Sequence, residues 1–135
     1  MNLKKGVKLV EEIVGMGRVV ERQKSYILAI HITLNKGDVV KMPNKCLSHA
    51  IDNNLKINDE GFFEHRVRID RENLIAGIFY AVQGMKVGGY RKAIVSPHLG
   101  YGERGVPGVI PKNAKLEVEI KVLSAVDNSD RGAYG

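Results

Sequence analysis

One stretch of this chain, residues 71–85, carries apolar residues at the spacing of a long amphipathic helix. Its sequence is RENLIAGIFYAVQGM, and one stripe is formed by Leu74, Ile75, Ile78, Phe79 and Val82. Asp70 precedes the stretch as a favourable N-cap, and Gly84 is well placed to end the helix. An apolar stripe of this kind must be covered, so the rest of the chain has to supply a surface that packs around a single helix.

The other periodic segments alternate apolar and polar residues, which is the pattern of strands with one buried face. They are residues 7–14, 26–34, 63–69, 90–95 and 116–122. We therefore predict an α+β fold in which a curved antiparallel β-sheet, a half-barrel, wraps around one amphipathic helix. With 135 residues the chain fits one domain, which we assign to residues 1–126, and we expect a disordered polar tail at 127–135.

Two connecting segments have their own signals. Asn35-Lys36-Gly37-Asp38 predicts a hairpin turn, after which Val39 and Val40 begin the return strand. Residues 41–60 are polar and rich in Asn, so they predict a long loop with a short helical turn around residues 47–51.

Composition narrows the classes of function. No apolar run approaches the ~18 residues needed to span a membrane, and Glu11 and Glu12 interrupt the apolar N-terminus, which argues against a signal peptide. The single Cys46 excludes an internal disulfide and favours the cytoplasm. The net charge is +6, but Lys and Arg are scattered among Glu and Asp without an aromatic platform, which argues against a nucleic-acid partner. The four histidines have no metal-ligand spacing, so we predict no metal site and no cofactor.

The loop between the last two predicted strands, SPHLGYGERGVPGVIPKNA, combines many Gly and Pro residues with apolar ones. Loops are usually polar because their backbone stays hydrated, yet this loop carries Tyr101 and the pair Val109-Ile110. An apolar loop edge suggests a lip over a pocket.

A family resemblance accounts for this loop. It is carried by Leu74-Ile75-Ala76-Gly77, Met85-Lys86-Val87-Gly88, Ser96-Pro97, Tyr101-Gly102, Gly105, Pro107-Gly108-Val109-Ile110-Pro111, Ala114 and Leu116. In order and spacing these segments resemble the FKBP-type peptidyl-prolyl cis-trans isomerases, specifically over residues 74–123 and weakly before them. The resemblance implies a half-open sheet wrapped on the helix and a shallow apolar pocket for the proline of an X-Pro bond.

The resemblance also implies roles for individual residues. The phenol of Tyr101 would donate a hydrogen bond to a substrate carbonyl, and the backbone N–H of Ile75 would make the other carbonyl contact. Val109 and Ile110 would lean over the substrate as part of a flap. The remaining predicted pocket positions are Leu74, Ile78, Val118, Val40, Ile30 and His65.

Several of these positions depart from the family's pattern. Ile78 replaces a tryptophan at the pocket floor, and Val118 replaces an aromatic residue on the last strand. The family's pocket tyrosine, aspartate and two phenylalanines fall on Ile30, Lys41, Val40 and His65. Aliphatic walls keep the pocket apolar but cannot stack on a proline ring, so we predict weak isomerase activity and poor affinity for macrolide drugs.

Two classes of function therefore stay open. The first is an enzyme, a monomeric cytoplasmic prolyl isomerase that acts on proline-containing peptides or unfolded proteins. The second is a degenerate binding module that holds a protein partner without significant isomerase activity. The aliphatic replacements favour the second, whereas Tyr101 and the complete flap favour the first.

Overall fold

The computed structural model describes residues 2–34, 56–100, 102–105 and 110–126. Within these ranges it contains seven β-strands, one α-helix and a single-turn 3₁₀ helix at Pro97–Leu99. The helix, α1, spans Ala76–Val82, and the strands are β1 (Asn2–Lys4), β2 (Val7–Ile13), β3 (Ser25–Leu34), β4 (Lys56–Ile57), β5 (Phe63–Arg68), β6 (Tyr90–Val95) and β7 (Leu116–Ala125).

The seven strands form one sheet in the order β1-β2-β6-β7-β3-β5-β4, and every neighbouring pair is antiparallel. The register shifts between Leu9 and Glu11 in β2 and between Ile27 and Leu28 in β3, as β-bulges do. Bulges increase the local twist, which lets a sheet curve around α1. The predicted α+β fold with a curved antiparallel sheet around one helix is confirmed.

Alternation along the long strands places one row of side chains in the core. In β3 the buried row is Tyr26, Leu28, Ile30 and Ile32, and in β7 it is Leu116, Val118, Ile120 and Val122. The helix contributes Ile78 and Val82 to the same cluster. Within the described ranges, no helix is long and apolar enough to cross a membrane.

The helix is shorter than the sequence predicts, because Asp70 does not cap it. Asp70 Oδ1 accepts hydrogen bonds from the backbone N–H groups of Glu72 (3.0 Å) and Asn73 (2.9 Å) and from the Asn73 side chain (2.7 Å). Side-chain bonds of this kind compete with helix formation and favour a turn. The chain therefore turns over residues 70–74, and α1 begins only after Ile75, whose ψ of 155° is extended.

The predicted loop over residues 41–60 is wrong at its C-terminal end. There Lys56 and Ile57 form β4, which pairs with Glu64 and Phe63 of β5. Two residues are too few to show the alternation that marks a strand in a sequence. β4 forms because it pairs with β5. The predicted hairpin turn at 35–38, the return strand at Val39 and Val40, the helical turn at 47–51 and the tail at 127–135 lie outside the described residues.

Candidate active site

The helix side of the candidate site is formed by Leu74, Ile75 and Ile78. Leu74 and Ile78 are fully buried, and Ile75 is partly buried against the core cluster. The turn at Asp70 fixes the approach to the helix, because the Leu74 N–H donates to the Asp70 carbonyl (3.1 Å). Arg71 adds a bond from its guanidinium to the Leu74 carbonyl. Asp70 and Arg71 thus position Leu74 and Ile75; the sequence signalled Asp70 only as a helix cap and gave no signal for Arg71.

The far end of the helix is held by Arg91 of β6, whose side chain is 9% exposed. Its Nη1 donates hydrogen bonds to the carbonyls of Ala81 (3.0 Å) and Gln83 (2.6 Å). Carbonyls at the C-terminus of a helix have no N–H donor within the helix, so Arg91 supplies one. Its Nε donates to Glu12 Oε2 at 2.6 Å. A short helix lacks cooperative stability of its own, so this buried cap and the apolar stripe keep Ile78 in place.

The sheet side of the site comes from β3 and β7. Ile30 pairs with Ile120 and Val118 pairs with Ile32, which brings Ile30 and Val118 onto the same concave face. Both side chains are fully buried and belong to the cluster that contains Ile78.

Ile110 joins this cluster from the glycine-rich loop, and its side chain is 3% exposed. Its backbone is approached by Gly105, on which a Cβ would lie 2.3 Å from the Ile110 carbonyl oxygen. Gly105 also has a φ of 61°, so only glycine fits there without strain. The loop can therefore turn tightly enough to return Ile110 to the core.

His65 lies on β5 opposite Leu28 of β3, and its side chain is half-buried. Phe63 lies two residues earlier, opposite Ile30, and its side chain is buried. Since opposite residues share a face, Phe63 adds an aromatic side chain to the face of the sheet that carries Ile30, a position that the sequence marked only as part of a predicted strand. The alternation of residues 63–69 was the signal that placed both side chains on this face.

In the structure Ile30, Leu74, Ile78, Ile110 and Val118 belong to one core cluster and Ile75 packs against it, whereas His65 lies on β5 opposite Leu28. Tyr101, Val109 and Val40, and also Lys41, lie outside the described residues, so their predicted roles stay predictions. The predicted site residues that belong to the core cluster are all aliphatic, although the cluster as a whole also contains Tyr26 and Phe79.

Comparisons with known proteins agree with this arrangement. Residues 30–123 match a family model, FKBP_C, described as FKBP-type peptidyl-prolyl cis-trans isomerase. The chain is 47% identical over 55 residues, 41% of its length, to the chloroplastic peptidyl-prolyl cis-trans isomerase FKBP16-4 of Arabidopsis thaliana. It is 30% identical over 115 residues, 85% of its length, to a 46 kDa FK506-binding nuclear protein of Spodoptera frugiperda. These matches span 24% of each relative, so the chain covers about a quarter of their length.

Solved structures show the same fold at lower identity. The crystal structure of AtFKBP13 superposes with a TM-score of 0.70 at 20% identity, over 90% of this chain and 94% of that one. FkpA from Escherichia coli gives a TM-score of 0.63 at 24% identity, over 90% of this chain and 52% of that one.

Proposed function

Because the chain belongs to the family of FKBP-type peptidyl-prolyl cis-trans isomerases, we propose that it accelerates rotation about X-Pro peptide bonds. The observation that carries this proposal is the family match over residues 30–123, which takes in every predicted site residue. The aliphatic cluster of Leu74, Ile78, Ile30 and Val118, with the partly buried Ile75 at its edge, supports it, because the chemistry requires apolar surroundings.

The reaction needs no reactive group. Resonance in the peptide bond sets a rotation barrier of ~18–20 kcal/mol, and uncatalysed X-Pro isomerisation takes tens to hundreds of seconds. The twisted transition state has less charge separation than the planar amide, so an apolar environment disfavours the planar form relative to it. Every ~1.4 kcal/mol of such differential binding gives a tenfold gain in rate.

Polar contacts at the edge of the pocket would hold the chain while the bond rotates. We assign them to the phenol of Tyr101 and the backbone N–H of Ile75, each donating to a substrate carbonyl, as the family resemblance implies. Val109 and Ile110 would cover the proline, and Val40 and His65 would complete the wall.

The aliphatic side chains at Ile78 and Val118 lead us to propose a modest rate. They desolvate a proline ring but present no flat aromatic face to it. Several relatives are named for binding FK506, and this chain would bind such macrolides weakly for the same reason.

We further propose that the substrates are proline-containing peptides and unfolded proteins, on which the chain acts as a monomeric folding catalyst. A shallow site that contacts the proline and its neighbours suits many sequences. We place it in the cytoplasm, because its one cysteine is what a reducing compartment favours.

The test is an NMR-exchange assay on short X-Pro peptides, with a protease-coupled assay as an independent readout. Catalytic amounts of protein should raise the exchange rate, and the rate should scale with protein concentration. A rate unchanged by stoichiometric folded protein would contradict the proposal and would favour the binding-module interpretation instead.

A further inference from the structure

A cleft of about 540 Å³ lies beside the helix and shares no residue with the predicted prolyl site. Its walls carry three arginines, Arg22, Arg68 and Arg71, and its floor carries the neighbouring helix residues Phe79 and Tyr80. We call this feature the arginine cleft. Its size falls within the ~300–1,000 Å³ typical of ligand sites.

The carboxylates of the arginine cleft pair with only one of its three arginines in the described residues. Asp70 is buried, its Oδ1 accepts three hydrogen bonds within its own turn, and its Oδ2 lies 3.5 Å from Arg68 Nε. Glu72 is the other carboxylate of the lining. In the part of the chain that the structure describes, Arg22 and Arg71 have no carboxylate oxygen within 4.0 Å.

On the outer face of the sheet, by contrast, two basic side chains have carboxylate partners. There Lys92 pairs with Glu117 at 2.7 Å, and Lys121 pairs with Glu60 at 2.9 Å. These two lysines are therefore matched by acidic neighbours, as Arg22 and Arg71 of the arginine cleft are not.

The aromatic floor is already covered by cations. The Arg22 guanidinium carbon lies 5.2 Å from the centre of the Phe79 ring, and Lys4 Nζ lies 4.3 Å from the centre of the Tyr80 ring. The centres of the two rings are 5.4 Å apart, and the rings pack edge to face. Rings covered by cations in this way are poor platforms for stacking a nucleobase. The Arg22 guanidinium is already held on Phe79, so it loses little conformational entropy when it binds an anion.

The backbone also fixes the two sides of the cleft relative to each other. The Gln23 N–H donates to the Ile69 carbonyl at 3.0 Å, which ties the segment carrying Arg22 to the segment carrying Arg71. Gln23 itself has a φ of 68°, a conformation that non-glycine residues adopt rarely. Arginines that are far apart in sequence are thereby held across one cleft.

We propose that the arginine cleft binds an acidic segment of a polypeptide, with its Asp or Glu carboxylates on Arg22 and Arg71. The planar guanidinium matches a carboxylate with two parallel hydrogen bonds. Three guanidinium groups outnumber two carboxylates in the lining, and Lys4 adds a further cation beside it. The net charge of +6 would draw an acidic partner toward the chain in general, and the cleft would select where it binds. This binding is separate from prolyl isomerisation and goes beyond it.

The experiment titrates a short fluorescent polyglutamate peptide with the full chain and follows anisotropy at low and moderate salt. The double variant Arg22→Gln with Arg71→Gln should weaken binding about tenfold or more, since both carboxylate contacts are lost. The matched control is Lys8→Gln with Lys115→Gln, which removes the same charge from a second, smaller cleft. The control should change affinity by less than about twofold, because distant charges are screened.

A further pair of variants protects the test against misfolding, since Arg71 also bonds the Leu74 carbonyl. Arg22 is exposed and bonds no backbone group in the described residues, so Arg22→Gln alone should fold and still weaken binding several-fold. Arg22→Lys keeps the charge without the planar fork and should restore only part of the affinity.

Three results would overturn the proposal. The first is no binding of polyglutamate even at low salt. The second is an equal loss in the arginine and lysine double variants, which would reduce the effect to bulk charge. The third is tighter binding of single-stranded oligonucleotide or phosphatidylserine vesicles through the same arginines, which would make the cleft a phosphate site.

Discussion

Gly77 of α1 packs so closely against Val95 of β6 that a Cβ on the glycine would lie 2.2 Å from Val95 Cγ1. Helix and sheet therefore meet at a distance that only glycine permits. Ile78 follows directly in the helix, so this contact also sets how deeply the floor of the predicted prolyl pocket lies.

Gly77→Ala should destabilise the protein by about 1–3 kcal/mol, because the added methyl overpacks the helix–sheet interface. A loss of stability would be informative, because helix propensity alone predicts that a change from glycine to alanine stabilises a helix by up to ~1 kcal/mol. Urea denaturation followed by circular dichroism measures the change. Val95→Ala in the Gly77→Ala background should recover part of the loss, and strictly additive effects would show that this contact is not the cause.

Arg91 gives a second prediction about the other end of the helix. Arg91→Met should lower the free energy of unfolding by about 2–4 kcal/mol, because two carbonyls lose a charged donor and Glu12 loses its partner. Lys92→Met on the same strand is the matched control. Lys92 pairs with Glu117, but both side chains are about a third exposed, and such pairs contribute about 0–1 kcal/mol. Equal losses in the two variants would argue against the capping role.

Tyr90 on the outer face predicts a specific alkaline instability. Burial and a hydrogen bond to Glu119 (2.7 Å) raise the pKa of the Tyr90 phenol well above its usual value of about 10. The folded state thus keeps a proton that the unfolded state loses, so this contribution to stability is complete below about pH 10 and declines as the pH rises further.

Stability curves from about pH 8 to about pH 11 test this expectation. The wild type should lose stability more steeply above about pH 10 than Tyr90→Phe, which has no phenol to ionise. Glu119→Gln keeps an acceptor but removes the charge, and its slope should fall between the two. Parallel curves for wild type and Tyr90→Phe would contradict the assigned protonation.

Tyr101 provides the sharpest test of catalysis. Tyr101→Phe should lower kcat/KM for X-Pro peptides by about tenfold, the effect of losing ~1.4 kcal/mol of hydrogen bonding in the transition state. Tyr90→Phe is the control, because it makes the same chemical change on the outer face of the sheet. NMR exchange measures both. If the two variants retained equal activity, Tyr101 would not be the donor.

Strand positions could be read from the sequence because alternation reports burial directly. Residues 90–95 form β6 as predicted, and residues 26–34 lie within β3. The start of the helix could not be read, because Asp70 can serve either a helix or a turn and its bonds to Glu72 and Asn73 decide between them. Such local competition depends on the geometry of side chains and leaves no periodic signal.

The aliphatic cluster and the arginine cleft also differ in how far the sequence predicts them. The aliphatic cluster could be anticipated, since each member occupies a patterned position that the family resemblance marks. The arginine cleft could not, because Arg22 and Arg71 are far apart in the sequence and are brought together by the pairing of their segments, which includes the bond from Gln23 to Ile69. Scattered basic residues look alike in a sequence, whether or not folding gathers them.

Ile78 tests whether an aliphatic pocket floor limits the rate. Ile78→Trp should raise kcat/KM and macrolide affinity, because an indole offers the flat face that a proline ring or a macrolide can stack on. The same change should cost about 1–3 kcal/mol of stability, since Ile78 is fully buried and a larger side chain overpacks its site. Ile69→Leu is a volume-conserving change at another fully buried isoleucine, and it should leave both kcat/KM and macrolide affinity unchanged. A folded Ile78→Trp protein with unaltered rate and affinity would show that Ile78 does not line the working pocket.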